Sequence, residues 1–481
     1  MTVGDELAQP NWWRPVAAAR TEQVASAKSR RSALAFWALM YFLFSLLIAP
    51  QTIVPGLDAL HLAAVSVVVA VIAHVVSSLR SRQSIFGSHP AMLCAAALAG
   101  WALLTVPFSH WPGGSVALLF ELYFKSLIIF WLLAVIVDTK TRLKQMATWL
   151  TLLTVPISAT GVKNFFTGVY VDGGSSAAPR IAGYDAPLTA NPNDLALVLC
   201  MMLPLAVALA AAETRPLRRI VFAGCAALDV AAVVLTFSRT GFLTLGALAV
   251  FTLFRLPRRQ AAMWTIGVVA LALMALPFLP AGYLDHMGTI AAIDTDPTGS
   301  AQDRWRDILS AFSLVLANPI MGVGAGMSVL ALNELRGPTW VPVHNVYLEY
   351  ATDLGLPGLI FFLLMLGACL RMVTQVARQT ARTGAARDFR CLAVGVQMML
   401  VAFVVSGFFH PVAYHFHFYY AGGLAAALAV VWENERGSIT SDSGVRQRPG
   451  YRWHRASVRE SRERDRPGDV PGARGHALTH G

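Results

Sequence analysis

The stretch DLALVLCMMLPLAVALAAA (194–212), followed at once by ETRPLRR (213–219), decides the fold. It is a long apolar run with one acid at its head and a basic cluster at its foot. A helix needs about 20 residues to cross a bilayer core, and this run has the length. Further apolar runs lie near 32–49, 58–77, 91–107, 116–137, 146–162, 220–237, 241–254, 261–280, 346–370, 391–409 and 416–432. Together they predict an all-α polytopic membrane protein with about twelve transmembrane helices. The run at 241–254 is short and must borrow residues from its flanks. Composition agrees: of 481 residues 56% are hydrophobic and only 14% charged, with a mean hydropathy of +0.56. Soluble domains average about 25% charged residues. The net charge of +11 sits in short clusters between apolar runs. That placement marks the cytoplasmic side of a membrane protein rather than a nucleic-acid surface.

Sidedness follows from the same clusters. With the N-terminus inside, the even-numbered connections should be basic, and they carry Arg80/Arg82, Lys140/Arg142/Lys144, Arg215/Arg218/Arg219, Arg255/Arg258/Arg259 and Arg371 through Arg390. Residues 1–31 form a polar cytoplasmic segment with no cleavage site, so the first run is a retained span. Residues 32–432 form the membrane-embedded domain, with long periplasmic loops at 163–193 and, between spans nine and ten, at 281–345. Residues 433–481 hold ten arginines and read as a disordered cytoplasmic tail able to meet lipid headgroups. Both termini are expected on the cytoplasmic side of the membrane. The five cysteines lie in or beside apolar runs with no metal-ligand spacing, so they read as free thiols.

A few basic residues break the charge rule on the outer side: Arg180, Arg239 in the turn SRTG (238–241), and Arg304, Arg306 and Arg336; Lys125 lies inside the fourth span. The outer loop contains SAQDRWRDILSAFSLVLANPIMGVGAG (300–326), an amphipathic helix stopped by Asn318-Pro319 and a glycine turn. Its apolar positions Trp305, Ile308, Leu309, Phe312 and Leu316 suit a membrane surface or the top of the bundle. Next comes HNVYLEYATDLGLPG (344–358), which sets His344 at the outer mouth of the tenth span.

These residues resemble bacterial O-antigen ligases. His344-Asn345, nine residues, Gly355, two residues, Gly358 fits the family pattern H-[NSQ]-x9-G-x-x-[GTY]. Arg304, Pro319 and Gly322 resemble the R-x14-P-x2-G element of these ligases and of Wzy-type polymerases, as do SRTG and the Arg180, Gly183, 191–194 pattern. The resemblance covers roughly residues 30–432. It implies an inverting, metal-independent transfer of a glycan from undecaprenyl diphosphate to an acceptor hydroxyl, such as one on lipid A–core, at the periplasmic face. No cofactor is implied. It further implies His344, Arg239 and Arg304 as catalytic and Lys125, Arg180 and Asn345 as substrate-binding residues. Arginine forks suit diphosphate oxygens, and a histidine suits the acceptor's proton.

Each residue has a plainer alternative. Lys125 could pair with Glu121 one turn earlier. Arg304 and Arg306 face different sides of their helix, and the resemblance favours Arg304. His410, His415 and His417 suit packing better than ligation, and Asp229 suits a buried helix–helix hydrogen bond as well as a functional role. Asp294-Thr295-Asp296 spells a DxD, but nucleotide sugars are not expected in the periplasm. Other functions compete too: a Wzy-type polymerase uses the same donor with a lipid-linked glycan acceptor, and a protein O-oligosaccharyltransferase uses Ser/Thr. The latter usually extends into the periplasm after its last span, whereas this tail reads as cytoplasmic. A twelve-span transporter would need midplane polar residues, and here they gather at the outer mouth.

Overall fold

The computed structural model describes residues 32–170, 180–255, 259, 288, 300–337, 340–382 and 387–442, except positions 88, 185, 187 and 190. The expected cytoplasmic segment 1–31, the run 261–280, the DxD and the tail beyond 442 lie outside them. Residues up to Glu435 group as one compact unit and those from Arg436 as another.

Among the described residues every regular element is helical. In chain order the main helices are α1 (Ala33–Ile48), α2 (Leu62–Arg80), α3 (Pro90–Thr105), α4 (Pro112–Leu118), α5 (Phe124–Ile136), α6 (Lys140–Phe166), α7 (Pro192–Ala212), α8 (Pro216–Leu235), α9 (Arg239–Arg255), α10 (Ser300–Ala317), α11 (Ser328–Arg336), α12 (Val346–Arg382), α13 (Arg387–Ser406) and α14 (Phe416–Asp442). A π-helical turn, Leu119–Tyr123, joins α4 to α5. The absence of water in a bilayer core forces backbone groups to pair within their own segment, which selects helices.

Among the described residues six stretches are long and apolar enough to cross a membrane: Asp58–Arg80, Pro90–Phe108, Pro112–Ile136, Pro192–Ala212, Val346–Ala381 and Arg387–Ser406. The other described runs are helical as well. Of these, α1 and α9 are shorter, at 16 and 17 residues, while α6, α8 and α14 carry more polar or charged side chains. The outer faces leave Leu79, Leu93, Leu104, Phe254 and Ile360 exposed. In water such a surface would cost about 25 cal/mol per Å²; lipid removes the cost. The chain is a multi-pass membrane protein.

At the centre stands α7, with nearly every side chain buried, packed against α6, α8, α9 and α13. Small residues allow the close crossings. A β-carbon on Gly395 of α13 would meet Ala208 Cβ at 2.7 Å, and one on Gly423 of α14 would meet Leu133 Cβ at 2.8 Å. Without a hydrophobic drive between helices in lipid, such approach supplies the packing energy. Asp229 of α8 settles as a helix–helix link, accepting from Ser158 Oγ at 2.6 Å and Thr154 Oγ1 at 3.1 Å of α6.

The two ends of the bundle differ. At one end Lys140 pairs with Asp388 at 3.1 Å, Lys144 with Glu213 at 3.7 Å, and Asn434 Nδ2 donates to the Asp138 carbonyl at 3.1 Å. These join three of the basic connections that the charge rule groups together. The other end gathers the starts of α7, α9 and α12 and the turn 407–415, and it holds the site.

Candidate active site

The two glycine-bearing motifs form a single contact. In α12 the helix breaks at Gly355 (φ 69°, ψ −177°), a conformation that side chains exclude. Into that break packs the loop that ends α10: Leu356 N donates to the Pro319 carbonyl at 2.8 Å, Val323 N to the Thr352 carbonyl at 2.9 Å and Gly324 N to the Asp353 carbonyl at 2.9 Å. The buried Asp353 carboxylate completes the clamp, accepting from Gly326 N at 2.8 Å and Ser328 N at 2.9 Å. Gly322, Gly324 and Gly326 all have positive φ, and a β-carbon on Gly322 would meet the Asp353 carbonyl at 2.4 Å. Glycines in a membrane helix ordinarily let a neighbouring helix approach. What approaches Gly355 is a loop, because the helix is already interrupted there. The α10 helix is thereby fixed on α12, and Arg304 is placed relative to His344.

Around this frame three arginines and a histidine converge. Ser238 caps α9, its Oγ accepting from Gly241 N at 3.2 Å and donating to Asn193 Oδ1 at 2.9 Å. The next residue, Arg239, is half-buried at the helix start. Arg180 Nη2 donates to the same Asn193 oxygen at 2.8 Å. Burial, then the charges of Arg304 and Arg239, lower the Arg180 guanidinium to about 10, so it remains charged at neutral pH. His344 is lowered to about 4 by burial first, then by Arg304, His410 and Arg336, against a smaller upward pull from the Pro342 carbonyl. Its Nδ1 is buried with no hydrogen-bond partner among the described residues. A neutral imidazole with a bare nitrogen can take a proton.

Electrostatics of the backbone point the same way. Asn193, Arg239 and His344 sit at the starts of α7, α9 and α12, and Arg304 lies in the early turns of α10. Helix N-termini carry partial positive charge and free N–H groups, which together with guanidiniums favour an anion.

The remaining candidates fall elsewhere. Arg306 points outward and pairs with the exposed Asp303 at 3.7 Å, so the two arginines do face different sides. On the outward face of α10 also lie Trp305, Leu309, Phe312 and Leu316, while Asp307, Ala311 and Leu314 are buried. Arg336 pairs with Asp307 and donates to the Val341 carbonyl at 2.9 Å, holding the segment that leads to His344. Asn345 caps α12, its Oδ1 accepting from Leu348 N at 3.0 Å. Lys125 is exposed on α5 and is not brought among the arginines. The alternative pairing with Glu121 is not formed among the described residues, since the π-helical turn at Leu119–Tyr123 shifts the register on which an i,i+4 contact depends.

Sequence reasoning assigned nothing to Asn193, Asp353 or Glu349. Glu349 Oε2 accepts from Ala413 N at 3.1 Å, tying α12 to the turn 407–415. From that turn His410, buried, faces the Asn193 carbonyl with Nε2 and the Ser406 carbonyl with Nδ1, each at 3.0 Å. The only signal for Asn193 was its place within 191–194, and for Asp353 its place inside the nine-residue gap of the histidine motif.

Residues 224–363 match the profile of a family described as O-antigen ligase. The match takes in the SRTG turn, Arg304, the glycine loop, His344 and Gly355; Lys125, Arg180 and Asn193 precede it. No curated protein sequence matches the chain. With that match and the apolar helices around it, the kinship expected from the motifs stands: this multi-pass membrane protein carries an O-antigen ligase domain of the O-antigen ligase/Wzy superfamily.

Proposed function

We propose that the chain is an inner-membrane glycosyltransferase that moves a glycan en bloc from undecaprenyl diphosphate to a hydroxyl of lipid A–core at the periplasmic face, both termini being cytoplasmic. The observation that carries this reading is the convergence of Arg180, Arg239, Arg304 and His344 at the bundle end opposite the linked basic connections. Guanidiniums held together repel one another, and an incoming diphosphate relieves that repulsion. Charge placed in advance at the leaving group is often the largest catalytic contribution.

In this reading the acceptor hydroxyl attacks the anomeric carbon from the face opposite the diphosphate, with inversion. The carbon–oxygen bond to the diphosphate breaks as the new one forms. His344 takes the hydroxyl proton, and Arg239 and Arg304 hold the negative charge that grows on the leaving diphosphate. Arg180 binds the donor, while Lys125, exposed on α5, adds positive charge that attracts it. Asn345 contributes by fixing the start of α12 beneath His344. A base held near 4 is weak on its own, but a bound diphosphate favours the imidazolium and strengthens it when substrate is present.

A deletion strain tests the reading. Loss of O-chains from core with accumulation of lipid-linked polymer supports the ligase. A core carrying a single repeat unit instead indicates a polymerase, and an unchanged lipopolysaccharide pattern with loss of glycan from proteins indicates a protein O-oligosaccharyltransferase.

A further inference from the structure

Asn193 stands in the first turn of α7, a helix otherwise built mainly from Leu, Ala, Val and Met. Four segments meet at this one residue. Its side-chain oxygen accepts from Arg180 Nη2 at 2.8 Å and from Ser238 Oγ at 2.9 Å. Its backbone N–H donates to Asn191 Oδ1 at 2.8 Å, and its carbonyl faces His410 Nε2 at 3.0 Å. The far side of the His410 ring faces the Ser406 carbonyl, and Ser406 Oγ lies 2.9 Å from Thr244 Oγ1 of α9. Asn193 is thus gripped from behind while it grips two functional segments in front.

What it grips is informative. Arg180 comes from a loop, and a guanidinium on a loop has many rotamers. With Nη2 engaged by Asn193, the Arg180 Nε is left buried and, among the described residues, without a partner. Buried donors of this kind are rare unless something absent satisfies them. The same Asn193 oxygen fixes Ser238, so the turn presenting Arg239 takes its register from the same atom. The chemistry of the acceptor matters too. A carboxylate here would orient Arg180 equally well, but it would cancel the charge that an anion needs. An amide oxygen orients the guanidinium and leaves its charge available.

We propose that Asn193 is a positioning residue for the diphosphate site, its neutral oxygen setting Arg180 and the Arg239 turn for a lipid-linked diphosphate without cancelling either charge. This rests on the reading of the site given above and deepens it.

The test uses the full chain in lipid nanodiscs, with undecaprenyl diphosphate as probe and undecaprenyl monophosphate as control. Variants are Asn193→Ala, Asn193→Asp, Arg180→Ala and the double variant Asn193→Ala/Arg180→Ala, each checked for folding by thermal melting. A hydrogen bond to a charged group is worth about tenfold or more in affinity. Asn193→Ala should therefore weaken diphosphate binding about tenfold, yet cost clearly less than that in the Arg180→Ala background, where only the Arg239 turn is left to position, since residues acting through one another are not additive. Asn193→Asp keeps both accepted bonds and the shape, so a merely structural role predicts near-normal binding. The proposal predicts a loss at least as large as for alanine. This variant decides the matter if Asn193→Ala does not fold. Unchanged binding in Asn193→Asp, or a full tenfold loss for Asn193→Ala persisting without Arg180, overturns the inference alone. A native chain that binds no undecaprenyl diphosphate overturns the functional reading and this inference with it.

Discussion

A β-carbon on Gly355 would stand 2.1 Å from the carbonyl oxygen of Ile320 and 2.9 Å from that of Pro319. Gly355 of one motif and Pro319 of the other are therefore two sides of one contact, although they are more than thirty residues apart in the chain. The contact holds α10, and Arg304 with it, against the helix that begins beside His344.

The first prediction tests that contact. Gly355→Ala adds a side chain at φ 69°, ψ −177°; such backbone strain alone costs about 1–3 kcal/mol, and the overlap with Ile320 adds to it. The melting temperature of the purified chain should fall sharply and transfer with it. Gly367→Ala, in the same helix with no atom within 4 Å of the new carbon, should be neutral or slightly stabilising. Equal melting of the two variants would show that the break at Gly355 is not needed.

Asp353→Asn probes the other half of the clamp. The carboxylate accepts from two backbone N–H groups, at Gly326 and Ser328. An amide has only one oxygen, so one N–H would face an NH₂ group, an unsatisfied donor costing about 1–3 kcal/mol. Hydrogen exchange at the Gly326 and Ser328 amides should accelerate while the exchange of α7 stays slow. Unaltered protection of both amides would count against the clamp.

Arg304 and Arg306 separate function from surface. Removing Arg304, whose charge reaches Arg180, His344 and His410, should lower kcat/KM about 10- to 100-fold, the worth of a hydrogen bond to a charged group. Arg306→Ala loses only an exposed pair with Asp303, and such pairs contribute about 0–1 kcal/mol. A larger loss for Arg306→Ala in a transfer assay would mean that the opposite face of α10 meets the donor.

Much of this arrangement was legible from spacing, and the remainder was not for a physical reason. Apolar runs marked the helices, and Asn318-Pro319 marked the end of α10, because those features are local. Asn193 and His410 are 217 positions apart, and Asn193 and Ser238 are 45 apart; no periodicity joins them. Gly355 was visible as a glycine, but its positive φ and its loop partner were not. Lys125 and Glu121 failed for a local reason, since an i,i+4 rule presumes an α-helix and the turn between them is π. The span count met the same limit. Length and hydropathy identify six crossings among the described residues, while α6 and α8 carry polar side chains that apolar runs alone did not weigh.

The last prediction concerns how His344 titrates. Its imidazole is held near 4 by burial, then by Arg304, His410 and Arg336, with the Pro342 carbonyl opposing. A general base works in its neutral form, so activity should fall as pH drops through the pKa and be flat above it. The acidic limb of kcat/KM, which reports the free enzyme, should therefore lie near pH 4 rather than near the ordinary value of about 6.5. In the complex the diphosphate favours the imidazolium, so the limb of kcat should lie at higher pH than that of kcat/KM. Arg304→Ala removes a cation beside the ring and should shift the kcat/KM limb upward whatever it does to the rate. His344→Ala should abolish the limb and lower turnover about 10²–10⁴-fold, while undecaprenyl diphosphate still binds through the arginines. A limb at about 6.5 in both the native chain and Arg304→Ala would sever His344 from the arginine cluster and leave the base to be sought elsewhere.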